Sequence, residues 1–372
     1  MSRIMLAKVF TGRCVNGEAA VKCRAPCFVF ICREYGTASE QDCDRAGAPR
    51  AADIAAKLRQ EKEKPSKREV PVSAVQRRVS ELKQFTQQLQ SVHPNVFAKA
   101  LFRSILYQDQ NIIAINKPYG VPVYNTGGIR NSIAESLPIL AKIINNTQRG
   151  SQLQLCYSLE KDTTGVLLLA QTEEASKRIQ SLIKSHEMEN KYMAVTAGIP
   201  VPSEGVIDIP IIEKEVTGPQ HHFKMGLSPL YRPDEEGDGL TRVRAHRQAH
   251  NAVTQYRVVE SSSGCSLVEL QPVTGVKHQL RVHMALAMSS PILGDHKYAH
   301  WNKLAPQKLP EGVLRKLGLE QSKTRHLPLH LHVRQTILPG VRGHSDITVS
   351  CPLPKYFIAT LKRLRISLPE KP

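Results

Sequence analysis

Residues 274–298, TGVKHQLRVHMALAMSSPILGDHKY, decide how this chain is read. Lys277, His278, Arg281 and His283 fall within one run of seven residues, and Gly294-Asp295 and Tyr298 close the stretch. Cations and imidazoles set among Leu280, Val282 and Met284 are poor material for a solvent-excluded core, because an unpaired buried charge is costly. They suit a site that grips a polyanion while orienting a carboxylate. The spacing predicts a helix over VKHQLRVHMALAM, which would put His278 and Arg281 one turn apart on a shared face. An arginine so placed can hold a carboxylate in a two-pronged ion pair. His278 and His283 are five apart, not the four of a helical metal pair, so hydrogen bonding or phosphate contact is the better reading of both.

Working outward, TQYRVVE and CSLVELQPV before this stretch read as consecutive strands. Further upstream, ILYQDQNIIAINKPYGVPV reads as two short strands around a polar turn, then a Pro/Gly loop. Residues 131–146 suggest a helix, Val166–Ala170 an apolar strand, 172–186 a basic helix and KYMAVTAG another strand. Residues 213–250, rich in His, Arg, Gly and acids, read as a long loop or insertion. Strands that follow one another without intervening helices argue for an α+β fold with a mixed, mostly antiparallel sheet. No GxGxxG or Walker loop occurs, so nothing signals a nucleotide cofactor.

The chain has 372 residues and a net charge of +18, with a pI of about 9.6. Such a field draws phosphate backbones. Aromatics make up 5% of the residues, too few for a wide base-stacking platform. Five of the eight cysteines (Cys14, Cys23, Cys27, Cys32 and Cys43) precede residue 45, at spacings too wide for structural zinc and too uneven for a disulfide framework. No apolar run is long enough to span a membrane. Residues 1–38 are basic with interleaved apolar residues, as in a mitochondrial transit segment. A charged linker over 39–72 follows. In 73–100, Val75, Val79, Leu82, Phe85 and Leu89 recur at helical steps, an N-terminal helical extension. The remainder, 101–365, reads as one catalytic domain.

A second segment carries candidate chemistry. In Leu159-Glu160-Lys161-Asp162-Thr163-Thr164-Gly165, two acids stand just before an apolar strand. A carboxylate entering a buried strand can be desolvated enough to act as a nucleophile or base. Taken alone, such a turn is more often merely solvated.

Together these segments resemble the RluA-type RNA pseudouridine synthases. NIIAINKPYGVPV is similar to that family's strand–NKPxG–strand entry, CYSLEKDTTGVLLLA to its HRLDxxTSGxxxxA segment, and GVKHQLRVH…PILGDHKY to its GRxHQIRxH…PIxGDxxY segment. TQYRVV and LHLHVRQTILP resemble its TxYxV strand and closing LHA segment. The resemblance runs from about 101 to 365, in the family's order. It implies the pseudouridine synthase fold: a mixed, mostly antiparallel central sheet with flanking helices and a basic RNA-binding cleft. It implies isomerisation of uridine to pseudouridine on a flipped-out base, because a stacked base is unreachable, with neither metal nor cofactor.

Carried over by motif, the family's catalytic aspartate falls on Glu160, its paired arginine on Arg281 and its tyrosine on Tyr192. Lys117, Lys161, Thr164, Lys277, His278, Gln279 and Leu280 are the candidates for substrate or RNA contact. Basic residues of 172–186, with Lys117 and Arg281, are candidates for phosphates, which position RNA without selecting a base. This sequence departs from the pattern at Glu160, one methylene longer than Asp, and at Tyr157-Ser158, where the family has His-Arg. It also has Asn190 for a usual lysine and Val276 for an arginine. Asp162 lies two residues along the loop, too far to substitute. The implied partner is mitochondrial RNA, ribosomal first, then transfer or messenger. The implied setting is the matrix, with nucleus or cytoplasm as alternatives, and the implied state is a monomer. Two other readings stand beside this one: an RNA-binding pseudoenzyme in mitochondrial ribosome assembly, and a basic structural protein of that ribosome.

Overall fold

Ser73 starts the first helix with a reciprocal cap: its hydroxyl accepts the Gln76 N–H at 3.1 Å and its own N–H donates to the Gln76 side chain at 3.2 Å. The computed structural model describes residues 73–368 except 126, 128–130, 145–151, 217–220, 229–230, 234–239, 243–246, 302 and 341–344. The expected transit segment 1–38, the linker 39–72 and the five early cysteines lie outside the described residues.

Where the periodicity predicts one helix over 73–100 there are two, α1 (Ala74–Ser91) and α2 (Pro94–Phe102). Pro94 lacks an N–H and drives His93 out of the helical region, to ψ 142°. The apolar face of α1 packs through Val75, Val79 and Leu82 on the C-terminal helix. Its polar face does something more specific. Thr86 and Gln90 donate to the Tyr119 and Gly120 carbonyls at 3.1 and 2.8 Å, pinning the NKPYG loop.

The remaining elements are β1 (Ile105–Gln108), β2 (Ile112–Lys117), α3 (Ile133–Ile144), β3 (Gln154–Leu155), β4 (Thr164–Ala170), α4 (Glu173–Lys184), β5 (Glu189–Ala197), β6 (Glu204–Asp208), β7 (Ile211–Val216), β8 (His222–Leu227), β9 (Tyr231–Pro233), β10 (Leu240–Arg242), β11 (Val253–Ser262), β12 (Cys265–Pro272), α5 (Gln279–Val282), α6 (Glu311–Leu317), β13 (Leu331–Leu338), β14 (Ile347–Ser350) and α7 (Lys355–Leu364). The main sheet runs β1-β2-β4-β13-β5-β12-β11-β6, with β3 paired to β4 and β14 to β13. Every pair is antiparallel except β4 with β13. This is the mixed, mostly antiparallel sheet expected. β4 is buried throughout, as its continuous apolar run requires of a central strand. Gly165 permits the parallel pairing: at φ +112°, a Cβ there would lie 2.2 Å from the Val333 carbonyl oxygen.

Alternating residues of β5 and β12 face opposite layers. Val195 and Leu267 pack with α1, α6 and α7, whereas Ala194, Val268 and Leu270 pack with Leu280, Met284 and Ile292. The charged segment 274–298 thus lies against the second face of the sheet, beside the mouth of β4.

Two expectations are corrected. Residues 213–250 are not simply a loop, because β7 and β8 form a hairpin in register from Ile211↔Leu227 to Val216↔His222. Ile211 and Met225 of that hairpin pack on Val282 and Tyr298. The predicted helix over VKHQLRVHMALAM is only α5, followed by a π turn at His283–Ala287. His278 sits before it at φ +58° and shares no helical face with Arg281. Among the described residues no helix is long and apolar enough to cross a membrane.

Candidate active site

The loop 156–163 brings Glu160 to the end of β4, and a buried lysine holds it there. Lys117 is fully buried, and its ammonium donates to the Lys161 and Thr163 carbonyls, each at 2.8 Å, and to Pro118 at 3.3 Å. Burial pulls Lys117 down to about 7, against the nearby Asp162 and Glu160 carboxylates. Gly120 N–H adds a bond to the Lys161 carbonyl at 3.0 Å. Lys117 is therefore a clamp on the loop and cannot reach a phosphate, which corrects its reading as an RNA contact.

Thr164 is likewise buried, its hydroxyl tied to His332 Nδ1 at 2.8 Å. Gln279 is buried too. Its amide nitrogen donates to Val253 O and Thr254 Oγ1, and its oxygen accepts from Thr274 Oγ1 and Val276 N. These bonds turn both side chains inward, away from a phosphate. Leu280 belongs to the apolar layer under β5. Of the candidate contacts, Lys161 and Lys277 alone present exposed side chains, and Lys277 pairs with Glu213 of β7 at 3.0 Å. The basic helix α4 lines neither cavity at Glu160.

The central contact is that of Glu160 with Arg281. Nη1 of Arg281 donates to Glu160 Oε2 at 2.5 Å. The other edge of the guanidinium is held by Asp295, which accepts from Nε at 2.8 Å and Nη2 at 2.7 Å. Asp295 is 1% exposed and also accepts the backbone N–H groups of Lys297 and Tyr298, each at 3.0 Å. Gly294 lets this turn form: at φ +82° its Cβ would lie 2.0 Å from the Pro328 carbonyl oxygen. Asp295 and Tyr298 are site residues beyond the candidates that the motifs point to. Nothing in the GDHKY text says that the aspartate turns back fourteen residues to the arginine.

Two carboxylates thus share one cation unequally. Burial acts on both. For Asp295 the bidentate arginine and two N–H donors outweigh burial, so its pKa falls below the usual value. For Glu160 burial wins over its single arm from Arg281, and the Asp295 and Asp162 charges add to it, so its pKa rises. Asp295 is the permanently ionised support, and Glu160 is the basic carboxylate. Glu160 Oε1 accepts no hydrogen bond among the described residues and remains available. Burial also disfavours the charged form of Arg281, but both carboxylates reverse that and hold it protonated.

His278 stands over the pair, its Nε2 3.8 Å from Glu160 Oε2. Burial, with Arg281, Lys297 and Lys277 nearby, pulls it down to about 3, so the ring is neutral. Met225 N–H donates to the Tyr298 hydroxyl at 3.3 Å, leaving the hydroxyl proton for His278 Nδ1, 2.5 Å away. That assignment puts the imidazole proton on Nε2, facing Glu160. The Tyr298 ring lies 5.0 Å from the Arg281 guanidinium carbon.

Two cavities meet at Glu160 and His278. The smaller, about 340 Å³, is walled by Tyr192, Leu280 and Leu331. The larger, about 620 Å³, has Tyr119, Lys297 and Arg325 on its lining, and Asp162 faces this side. Tyr192 lies at mid-sheet, opposite Leu270 of β12 and Val333 of β13. Burial, then the Glu160 charge, raises its pKa, so the phenol keeps its proton. The structure therefore brings Glu160, Arg281, Tyr192 and His278 to one place.

Residues 111–286 match the model of a family described as RNA pseudouridylate synthase. A Danio rerio protein named "Pseudouridylate synthase RPUSD4, mitochondrial" is 72% identical over 326 residues, spanning 87% of this chain and 91% of the relative. The Homo sapiens protein of the same name is 50% identical over 340 residues, 90% and 89% of the two chains. A solved structure titled "Human RNA Pseudouridylate Synthase Domain Containing 4" superposes with a TM-score of 0.67 at 48% identity, covering 74% of this chain and 98% of that one.

Proposed function

The chain belongs to the RNA pseudouridylate synthase family, and from that premise we propose that it converts uridine to pseudouridine in mitochondrial RNA with Glu160 as the reacting carboxylate. The observation that carries the residue assignment is the divided arginine: Asp295 holds the Nε–Nη2 edge of Arg281, and Nη1 fixes Glu160 Oε2 and leaves Oε1 without a bond among the described residues.

The net charge of +18 gathers RNA at the surface. The target uridine leaves its stack and enters the smaller cavity, its base against the Tyr192 ring, with Leu280 and Leu331 as the apolar walls. Glu160 Oε1 then faces the sugar carbon that carries the base. The bond from that carbon to uracil N1 breaks, the base turns, and a bond forms to C5. The C5 proton leaves and N1 gains one, so product and substrate are isomers. Arg281 keeps the carboxylate placed and compensates its charge. Tyr192, held protonated, limits the sliding of the freed base and can pass a proton. His278 offers its Nε2 proton toward the same carboxylate.

Glu160 is longer than the aspartate of the family pattern. Arg281 reaches it with one arm, and Lys117 ties down the loop next to it, so the longer side chain has a fixed place in the pocket. The proposed substrate is large-subunit ribosomal RNA of the mitochondrial matrix, with transfer and messenger RNA next, and the proposed acting species is the monomer. The test is incubation of the purified protein with transcripts of mitochondrial ribosomal, transfer and messenger RNA, followed by carbodiimide mapping of pseudouridine. Conversion at discrete uridines in the ribosomal transcript is expected. Binding without conversion in any transcript overturns the reading and leaves an RNA-binding protein.

A further inference from the structure

The larger cavity is not needed for the uracil. It is nearly twice the volume of the one beside Tyr192, and the two share only Glu160 and His278. Its walls divide by chemistry. Tyr119, Leu304, Leu327 and Leu329 make an apolar side. The Tyr119 ring is fixed, because its hydroxyl accepts the Leu329 N–H at 3.3 Å and its edge meets Tyr356 at 5.8 Å. Besides Arg281, which its two carboxylates occupy, Lys161, Lys297 and Arg325 are the lysine and arginine side chains on the lining, and among the described residues none of the three enters an ion pair. Asp162 is the sole acid there besides Glu160, which Arg281 already holds. Lys297 lies over the Tyr298 ring at 5.8 Å and Arg325 Nε donates to the Ser322 carbonyl at 3.1 Å, contacts that leave the charge of each without an acid partner. A fixed aromatic beside such cations suits one base and its phosphates, as in other single-strand sites. The two cavities adjoin at Glu160 and His278, within reach of consecutive nucleotides.

We propose that this cavity is a second nucleotide subsite, which takes the nucleotide adjoining the target uridine, its base on the Tyr119 side and its phosphates on Lys297 and Arg325. The proposal rests on the uridine lying in the Tyr192 cavity. The enzyme therefore reads a dinucleotide, and its choice of uridine depends on a neighbour that must also leave the helical stack.

The probe is a fluorescein-labelled RNA nonamer of adenosines with one central uridine, titrated with the full chain and read by anisotropy. Three further nonamers carry an abasic ribose at the uridine, at its 5′ neighbour or at its 3′ neighbour. Loss of about tenfold in affinity is expected for the abasic uridine and for one neighbour, with the other neighbour near parent affinity. Lys297→Met, which keeps the apolar stem, should lower the slope of log K against log salt by about 0.7, and Arg325→Ala by a similar amount. Loss at the central position alone, with both salt slopes unchanged, overturns the second subsite and spares the uridine assignment. Equal affinity for all four probes overturns both.

Discussion

Replacing Asp295 by Asn removes one charge and almost no volume, and the structure sets what it should do. Asp295 is 1% exposed and engages Arg281 through both oxygens, at 2.8 and 2.7 Å. An asparagine can accept only one of those bonds, and its amide would present a donor to the other guanidinium N–H. Breaking a buried pair by neutralising one partner costs roughly 3–5 kcal/mol. For a chain of this size that is a fall in Tm of roughly 10 °C. The sign with pH follows from the depressed Asp295 pKa. Its stabilisation is fully present above the unfolded carboxylate value and disappears as pH falls through the lower folded value. The gap between parent and variant should therefore hold at neutral pH and close only under strong acid.

Catalysis adds a second readout. Without the Asp295 charge, Arg281 serves Glu160 alone, and a repulsion that helped to raise the Glu160 pKa is gone. The acid limb of the rate profile should move to lower pH in whatever folded variant remains. Thermal melts across pH and single-turnover rates on ribosomal RNA measure both. A variant within about 0.5 kcal/mol of the parent, with its acid limb unmoved, would refute the reasoning.

Lys117→Met should cost roughly 2–3 kcal/mol, because it leaves the Thr163 carbonyl without its donor and the Lys161 carbonyl with only the Gly120 N–H, yet it should leave the salt slope of RNA binding unchanged. A reduced slope in filter binding would restore Lys117 to the phosphate contacts. Tyr298→Phe frees His278 Nδ1 and lets the imidazole proton leave Nε2, so kcat should fall roughly tenfold, about one hydrogen bond's worth, with KM little changed. Steady-state kinetics decide it, and a fall confined to KM contradicts the tautomer assignment. Gly294→Ala would place a Cβ 2.0 Å from the Pro328 carbonyl oxygen, so the melt should show a loss well above 1 kcal/mol. For the parent, kcat should decline on the acid side at a pH above the ordinary carboxylate range, since Glu160 must be ionised and its pKa is raised.

Much of the fold was legible because the strands carry their own signal. The run Val166–Ala170 is apolar at every position and became a strand buried on both faces. The pair TQYRVVE and CSLVELQPV became adjacent antiparallel strands. Arg281 and Glu160 were legible as partners through motif order, although 121 residues separate them. What was not legible depended on turns and tertiary closure. Helical periodicity in KHQLRVHMALAM continued past the point where His278 takes a left-handed conformation and the helix widens to a π turn. Lys117 looked like a surface cation, because no local feature says that two carbonyls from 44 and 46 residues away will surround it. Thr164 and Gln279 read only as polar in the text: nothing local says that Thr164 bonds His332, or that Gln279, though on the lining of the smaller cavity, spends its amide on Val253, Thr254, Thr274 and Val276. Asp295 was in view, but its role needed the turn at Gly294, which only a close approach to Pro328 explains.

Catalysis turns on Glu160 being the acid that reacts while Arg281 holds it. The direct measurement is pseudouridine formed per enzyme on mitochondrial ribosomal RNA by the parent, Glu160→Gln and Glu160→Asp, side by side, with RNA affinity measured for each. The parent should convert its uridine, and Glu160→Gln should bind equally well but convert it at least about a thousandfold more slowly. A glutamine variant as fast as the parent, or a parent that is inert until Glu160 becomes Asp, would contradict it.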